Sequence, residues 1–200
     1  MRDIDSQAVV HARLRGELQE HLAQPLNALF DELDTRLFDL AERSRASTQQ
    51  HLYFDGLREL RRSRVEIETQ FLEAADLALR PTPESFTQPL ARTPLRLIDK
   101  DEQEETLSLE LQTQRLIERL AAPLETVLAR LAELAGQAPP PDPLASALSP
   151  RGLGREFRRA MARADVGIEI RLIAHALFGQ HVLRALDPLY ARLNAILIEA

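Results

Sequence analysis

The chain has 200 residues, of which 44% are hydrophobic, 28% are charged and 4% are aromatic, and its formal net charge is −6. This composition is typical of a folded protein with a core rich in leucine and alanine, and it argues against wholesale disorder. An acidic chain is a poor candidate for a general nucleic-acid binder, because such proteins use basic surfaces to displace counterions from phosphates. The lack of cysteine excludes disulfides, thiol catalysis and thiolate metal sites.

Features of the sequence also indicate where the protein is located. No segment approaches the roughly 18 uninterrupted apolar residues of a membrane-spanning helix. The N-terminal sequence reads MRDIDSQAVVHARL and carries acidic residues early, without the apolar region of a secretory signal. We therefore expect a cytoplasmic protein.

The first predicted element is a long helix over about residues 6–44. Apolar residues recur in it at steps of three and four, which is the spacing of one helix face. Pro25 removes a backbone hydrogen bond and clashes with the preceding turn at a cost of about 3 kcal/mol, so it predicts a kink or a break. The apolar stripe consists of Val10, Leu14, Leu18, Leu22, Leu26, Leu29, Leu33, Leu37 and Leu40.

A second long helix is predicted over residues 47–80. Ser47 and Gln50 have the spacing of a capping box at its start, and the prolines that follow residue 80 predict its end. At 1.5 Å per residue it would reach about 50 Å, and a turn at 43–46 would make the first two helices an antiparallel pair. Its apolar seam consists of Leu57, Leu60, Ile67, Phe71, Ala74 and Ala78, with Arg64 in the remaining slot.

Residues 81–99 hold four prolines and predict an extended strap along the bundle. A third long helix then begins in an acidic run and continues to Gly136, with Pro123 predicting a second kink. The acidic run suits the positive end of a helix dipole, and we interpret it as a solvated helix start. Its spacing resembles a calcium loop, but Glu104 stands where that loop requires glycine.

The C-terminal quarter is predicted to hold shorter helices. Residues 137–149 are rich in proline and predict a linker. Ser149 and Pro150 predict the start of the next helix, Asp165 can cap the one after, and Asp187 with Pro188 begins the last. The apolar run that closes the sequence predicts either a docked terminal helix or a chain that continues.

The predicted fold is therefore all-α. Residues 1–136 form an elongated bundle of long, proline-kinked antiparallel helices with the strap at 81–99. After the linker at 137–149, residues 150–200 form a smaller helical subdomain that can pack on the first part.

Two arginine clusters are the candidate contact residues for an anion or a partner. Guanidinium groups at helical spacing can bind carboxylates, phosphates or RNA. The alternative, which we favour, is that they pair with acids of neighbouring helices, such as Glu59, Glu66 and the run at 101–105. The clusters consist of Arg58, Arg61 and Arg62 on the second helix and Arg155, Arg158, Arg159 and Arg163 after the linker.

Catalytic and cofactor motifs are not found. His175 and His181 are six residues apart, which is not the spacing of a helical metal-ligand pair, and no HExxH motif accompanies them. There is no GxSxG motif or phosphate-binding loop either. We expect surface or partly buried histidines, no metal or cofactor, and no enzyme.

Four segments resemble the DUF1631 family, a group of much longer proteobacterial proteins of unknown function. They read LFDLAERS at 37–44, YFDGLRELRRSRVEIETQF at 53–71, LIDKDEQEETLSL at 97–109 and GIEIRLIAHALFGQHVLRALDPLYARLNAILIEA at 167–200. The resemblance implies that the chain is the N-terminal helical part of a larger protein. It offers no established reaction. Longer members end in a domain similar to the cyclic-di-GMP-binding PilZ type, which implies a link to signalling.

Two functional hypotheses follow. The first is a non-enzymatic interaction or scaffold module of a larger cytoplasmic bacterial protein, with a regulatory role. Its partner would be another protein or a second copy, in a homodimer formed through an apolar stripe. The second is a regulator that binds a cyclic-di-GMP-linked nucleotide messenger, or less readily a nucleic acid, through its arginine faces.

Overall fold

The computed structural model describes residues 2–79, 100–136 and 146–200. These ranges contain six α-helices and one short 3₁₀ turn at Leu183–Ala185, and no strand. The predicted all-α class is confirmed. The helices are α1 (Arg2–Arg43), α2 (Ser47–Leu77), α3 (Lys100–Leu134), α4 (Pro150–Met161), α5 (Ile168–His181) and α6 (Leu186–Ile198).

The leucine stripe of α1 forms one side of the core. Every member from Leu14 to Leu37 is at most 1% exposed, and Leu40 is partly buried. Pro25 lies inside an unbroken helix, so the predicted alternative of a break is wrong. The kink at this position stays a prediction.

The start of α2 differs from its prediction. Ala46 is the residue that precedes the helix, and no side chain caps it, so the capping box predicted at Ser47 and Gln50 is wrong. Because Ser47 is already helical, its hydroxyl is not placed to accept from the free N–H groups of the first turn. The Gln50 N–H instead donates to the carbonyl of Ala46 at 3.1 Å. The helix ends at Leu77, three residues before its predicted end.

The seam of α2 is buried against α1. Leu57, Leu60, Ile67 and Phe71 are each at most 7% exposed, and the buried alanine is Ala75. Ala74 and Ala78, which the spacing predicted, are only partly buried.

Ion pairs between α1 and α2 show that the two helices are antiparallel. From pair to pair, the residue number falls along α1 as it rises along α2, which is the order expected of two helices that run in opposite directions. The pairs are Arg61 with Asp34, Arg64 with Asp31, and Arg15 with Asp76.

The C-terminal helices share the core of the long ones. Phe157 of α4 and Phe178 of α5 stack with ring centroids 4.3 Å apart, and Phe71 of α2 meets both edge-on. Buried residues from all six helices form one continuous cluster.

The predicted ends of the later helices are confirmed in part. The Ser149 hydroxyl accepts from the Gly152 N–H at 2.9 Å and Pro150 follows it, which confirms the predicted start of α4. Gly136 ends α3 with φ at 65°. The predicted cap at Asp165 is wrong, because α5 begins at Ile168 and no side chain caps it.

The first turn of α4 is crowded by the chain that leads into it. A Cβ atom on Gly152 would collide with the backbone carbonyls of Ser146 and Ala147. The carbonyl of Leu148 accepts a hydrogen bond from the buried Tyr190 hydroxyl of α6. Residues 146–149 are thereby fixed between α4 and α6.

The proposed strap at 81–99 and the first nine residues of the linker, 137–145, lie outside the described residues, so the division of the chain into these parts stays a prediction. None of the helices in the described part combines the length and the apolar character that crossing a bilayer requires.

Candidate interaction site

The outer face of α2 carries two adjoining clefts. The first has a volume of about 490 Å³. Leu52 and Gly56 of α2 supply part of its apolar floor, and Val166 and Ile170 supply the rest. Leu52 is 40% exposed, whereas Val166 and Ile170 are buried. The floor is therefore an edge of the core that is exposed mainly at Leu52.

Gly56 explains why the floor contains residues from two distant segments. A Cβ atom at this position would collide with Cδ1 of Ile170, so the absence of a side chain lets α5 approach α2. One turn earlier, the Tyr53 hydroxyl donates to the Glu169 carboxylate at 3.3 Å. These contacts place the start of α5 beside the arginine-bearing face of α2.

The second cleft has a volume of about 410 Å³ and lies on the other side of Asp55 and Arg58, which line both clefts. Phe54 and Leu57 supply its apolar lining. Phe54 meets the ring of Phe38 edge-on at 6.1 Å between centroids. We call the two together the α2 double cleft, with Arg58 as the ridge between them.

The three predicted arginines of α2 all line this surface but differ in availability. Arg61 makes a bidentate pair with Asp34, at 2.5 and 2.7 Å, and its hydrogen bond lowers the pKa of the Asp34 carboxyl. Arg62 pairs with Glu59 at 2.7 Å and lowers the pKa of that carboxyl in the same way.

Arg58 is the most accessible of the three. Its side chain is 80% exposed, and its carboxylate partner, Asp55, lies 3.3 Å away on the same helix and is itself 68% exposed. Such an exposed pair is worth little, so exchanging Asp55 for another carboxylate costs little.

The arginines predicted after the linker do not form one surface. Arg159 pairs with Glu156 at 2.9 Å, and Arg163 lies 3.9 Å from Glu66 of α2. Arg155 and Arg158 face α3 instead, where Arg158 donates to the Thr106 hydroxyl at 2.8 Å.

Arg151, which was not among the predicted contact residues, joins Arg155 and Arg158 along this side of α4. Its position four residues before Arg155 and seven before Arg158 is the helical spacing that could have identified it.

A buried polar junction lies where α3, α4 and α5 meet. Glu105 is 4% exposed and accepts from Arg171 at 2.9 Å. The interpretation of this part of the acidic run as solvated is therefore wrong for Glu105, because α5 packs over it.

His175 is a second part of this junction. It is fully buried beside Phe157, and neither ring nitrogen has a hydrogen-bond partner in the described part of the chain. Burial, reinforced by the positive charges of Arg158 and Arg171, lowers the pKa of His175 to about 4. The expectation of a surface or partly buried histidine is wrong here, because periodicity does not show which helix will cover a given face.

Among the described residues, no group of three or more histidine, aspartate or glutamate side chains is placed to hold a metal ion.

Comparison with known proteins bears on the family and not on the activity. No curated protein and no solved structure matches the chain. The family model described as "Protein of unknown function (DUF1631) N-terminal domain" matches residues 6–200. That range contains the α2 double cleft, the α4 arginines and the junction around His175. The chain belongs to the DUF1631 family and corresponds to its N-terminal domain.

Proposed function

We propose that this domain is a non-enzymatic interaction module with a regulatory role in a larger cytoplasmic bacterial protein. Its binding surface is the α2 double cleft. The observation that carries the proposal is the combination of an apolar floor, in which Leu52 is exposed and Val166 and Ile170 are buried, and the exposed Arg58 ridge. The family description of an N-terminal domain supports a module within a longer chain.

The double cleft has the composition of a protein-binding surface. Such surfaces have an apolar centre within a polar rim, and arginine is enriched among the residues that dominate their binding energy. Here the rim carries charges of both signs, from Arg58 and Arg62 and from Asp55, Glu59 and Asp165. A partner helix with apolar residues on one face and a carboxylate that replaces Asp55 on Arg58 fits this arrangement.

The test is site-specific crosslinking in cells that express the full-length protein. A photoactivatable residue at position 52 is expected to capture one reproducible protein, either a distinct partner or a second copy. Arg58→Glu should reduce that capture about tenfold, because it replaces an attractive contact with a repulsive one.

Arg43→Glu is the matched control. Arg43 is 82% exposed and is paired with Asp39 on its own helix, as Arg58 is with Asp55, but it lies outside the double cleft. Equal capture by both variants, or capture of many unrelated proteins at position 52, would refute the proposal. The mass of the captured product separates a homodimer from a complex with a different protein.

A regulator that binds a nucleotide messenger is the second candidate. The feature that favours it is the row of Arg151, Arg155 and Arg158 facing α3. Nucleic acid is a less suitable ligand, because the chain carries a net charge of −6 and most of the predicted arginines pair with carboxylates of the same chain. Salt-dependent thermal stabilisation by a nucleotide would support this candidate.

A further inference from the structure

The cleft between α3 and α4 combines positive charge with hydroxyl groups. It has a volume of about 200 Å³. We call it the α3–α4 cleft. Its polar lining consists of Thr106, Glu110 and Thr113 from α3 and Arg151, Arg155 and Arg158 from α4.

The arginine row is held in place by the opposite face of α4. Leu153, Phe157 and Met161 are at most 1% exposed, so α4 cannot rotate without exposing them. Residues 151, 155 and 158 therefore stay on the side of α4 that faces α3. The three guanidinium groups are held close together at a helical spacing where like charges repel.

Two of these charges, those of Arg151 and Arg155, are only partly compensated within the described part of the chain. Arg151 has no ion-pair partner there. Arg155 pairs with the carboxylate of Glu156 at 3.4 Å, but Glu156 also pairs with Arg159 at the shorter distance of 2.9 Å. The positive end of the 12-residue helix α4 lies next to Arg151 and adds to the potential. An anion would lower the electrostatic energy of this cleft.

The volume limits the size of that anion. Typical ligand pockets measure roughly 300–1,000 Å³. A cleft of about 200 Å³ suits one small charged group, with the rest of a larger ligand outside. Thr113 closes the inner end of the lining, because it is 1% exposed and its hydroxyl donates to the carbonyl of Glu110.

Glu110 determines which anion fits. A carboxylate in a basic cleft repels a fully ionised anion such as sulfate. It can, however, accept a hydrogen bond from the protonated oxygen of hydrogen phosphate. The cleft therefore offers donors for the ionised oxygens and one acceptor for a P–O–H group.

We propose that the α3–α4 cleft binds a terminal phosphate group, and that Arg151 and Arg155 bind its ionised oxygens while Glu110 accepts from its protonated oxygen. The site is separate from the α2 double cleft, so either proposal can fail without the other. It deepens the second candidate function by restricting recognition of the ligand to one phosphate group.

The test is a titration of the full chain with inorganic phosphate at constant ionic strength, followed by the backbone amide resonances of residues 106–113 and 151–155. We expect saturation with a Kd of about 1 mM. Arg151→Ala with Arg155→Ala should weaken binding at least about tenfold, because the charge-assisted hydrogen bonds from both guanidinium groups to the anion are lost. Arg43→Ala with Arg58→Ala is the matched control, since both arginines are exposed, pair within their own helices and lie outside this cleft. It should bind as the unmodified chain does.

Titration with sulfate tests whether the cleft is specific for phosphate. Phosphate should bind at least about tenfold more tightly than sulfate, and Glu110→Gln should abolish that preference, because an amide can donate to either anion. No saturable response to phosphate, equal binding by the Arg151 and Arg155 double variant, or equal binding of the two anions would overturn the proposal.

Adenosine 5′-monophosphate distinguishes the source of the phosphate. Tighter binding than inorganic phosphate, lost in the double variant, indicates a nucleotide, and equal binding shows that the phosphate alone is recognised.

Discussion

The antiparallel pair of α1 and α2 and the junction of α3, α4 and α5 differ in how far their polar side chains are exposed to water. In the pair, leucines fill the interface and the Arg61–Asp34 ion pair lies outside it, with Arg61 62% exposed and Asp34 34% exposed. In the junction, Glu105 is only 6% exposed at its side chain and His175 is fully buried without a hydrogen-bond partner in the described part of the chain. The pair is an ordinary apolar interface, whereas the junction holds polar groups under a desolvation cost.

The comparison shows that similar ion pairs have different energetic meaning in the two regions. An exposed pair contributes about 0–1 kcal/mol, because water competes for both partners. Removing the partner of a buried carboxylate destabilises the folded protein by about 3–5 kcal/mol. Substitutions that remove one partner can therefore test whether the two regions differ as the structure indicates.

The largest effect is expected for Arg171→Met. This change leaves Glu105 buried without its cation and should lower the free energy of unfolding by about 4 kcal/mol. Chemical denaturation at pH 7 measures it. Adding Glu105→Leu should restore most of the loss, since two apolar side chains need no pairing. A loss below about 1 kcal/mol for the single change would show that the junction behaves like an exposed surface.

The next effect concerns His175 and pH. Its pKa is about 4 in the folded chain and 6.5 in the absence of burial, so below pH 6.5 the unfolded chain takes up a proton that the folded chain does not. The contribution of neutral His175 to the free energy of unfolding is therefore fully present above pH 6.5. It is lost as the pH falls toward 4, by about 3 kcal/mol over that range.

His175→Leu isolates this contribution, because leucine does not titrate and needs no hydrogen bond. At pH 7 the variant should be as stable as the unmodified chain or about 1 kcal/mol more stable. The difference between the two should grow by about 3 kcal/mol on acidification to pH 4. A variant that is clearly less stable at pH 7 would show that the imidazole has a bonding role in the junction.

The smallest effect is expected in the helix pair. Arg61→Met removes the bidentate contact with Asp34, but both partners remain in contact with water. The loss should be about 0.5 kcal/mol at low ionic strength and smaller in high salt. A loss comparable to that of Arg171→Met would erase the proposed contrast between the two regions.

The parts of the fold that sequence reasoning predicted depend on local pattern. The α1 stripe is buried as its spacing predicted, because a face of leucine is stabilised by any apolar neighbour. The start of α4 followed from Ser149 and Pro150, which need only their own turn. The capping box at Ser47 failed although its spacing was correct, since the chain enters α2 one residue earlier, at Ala46.

The candidate site was predictable only in its arginines. The helical spacing grouped Arg58, Arg61 and Arg62, but the cleft beside them also needs Ile170, which is more than a hundred residues away. That contact depends on the close approach of two helices at Gly56. Likewise, nothing near His175 or Glu105 in the sequence indicates that α3 and α5 will cover them.

Gly152 provides a criterion for comparing relatives of this domain. Any side chain at that position meets the carbonyls of Ser146 and Ala147, which cannot move far while Leu148 holds the Tyr190 hydroxyl. A homologue that aligns here with another residue must have a rebuilt entry into α4, and a substitution at the position equivalent to Tyr190 should accompany it. Covariation of these two alignment columns would thus identify the branch of the family in which α4, and every arginine that it carries, has been reoriented.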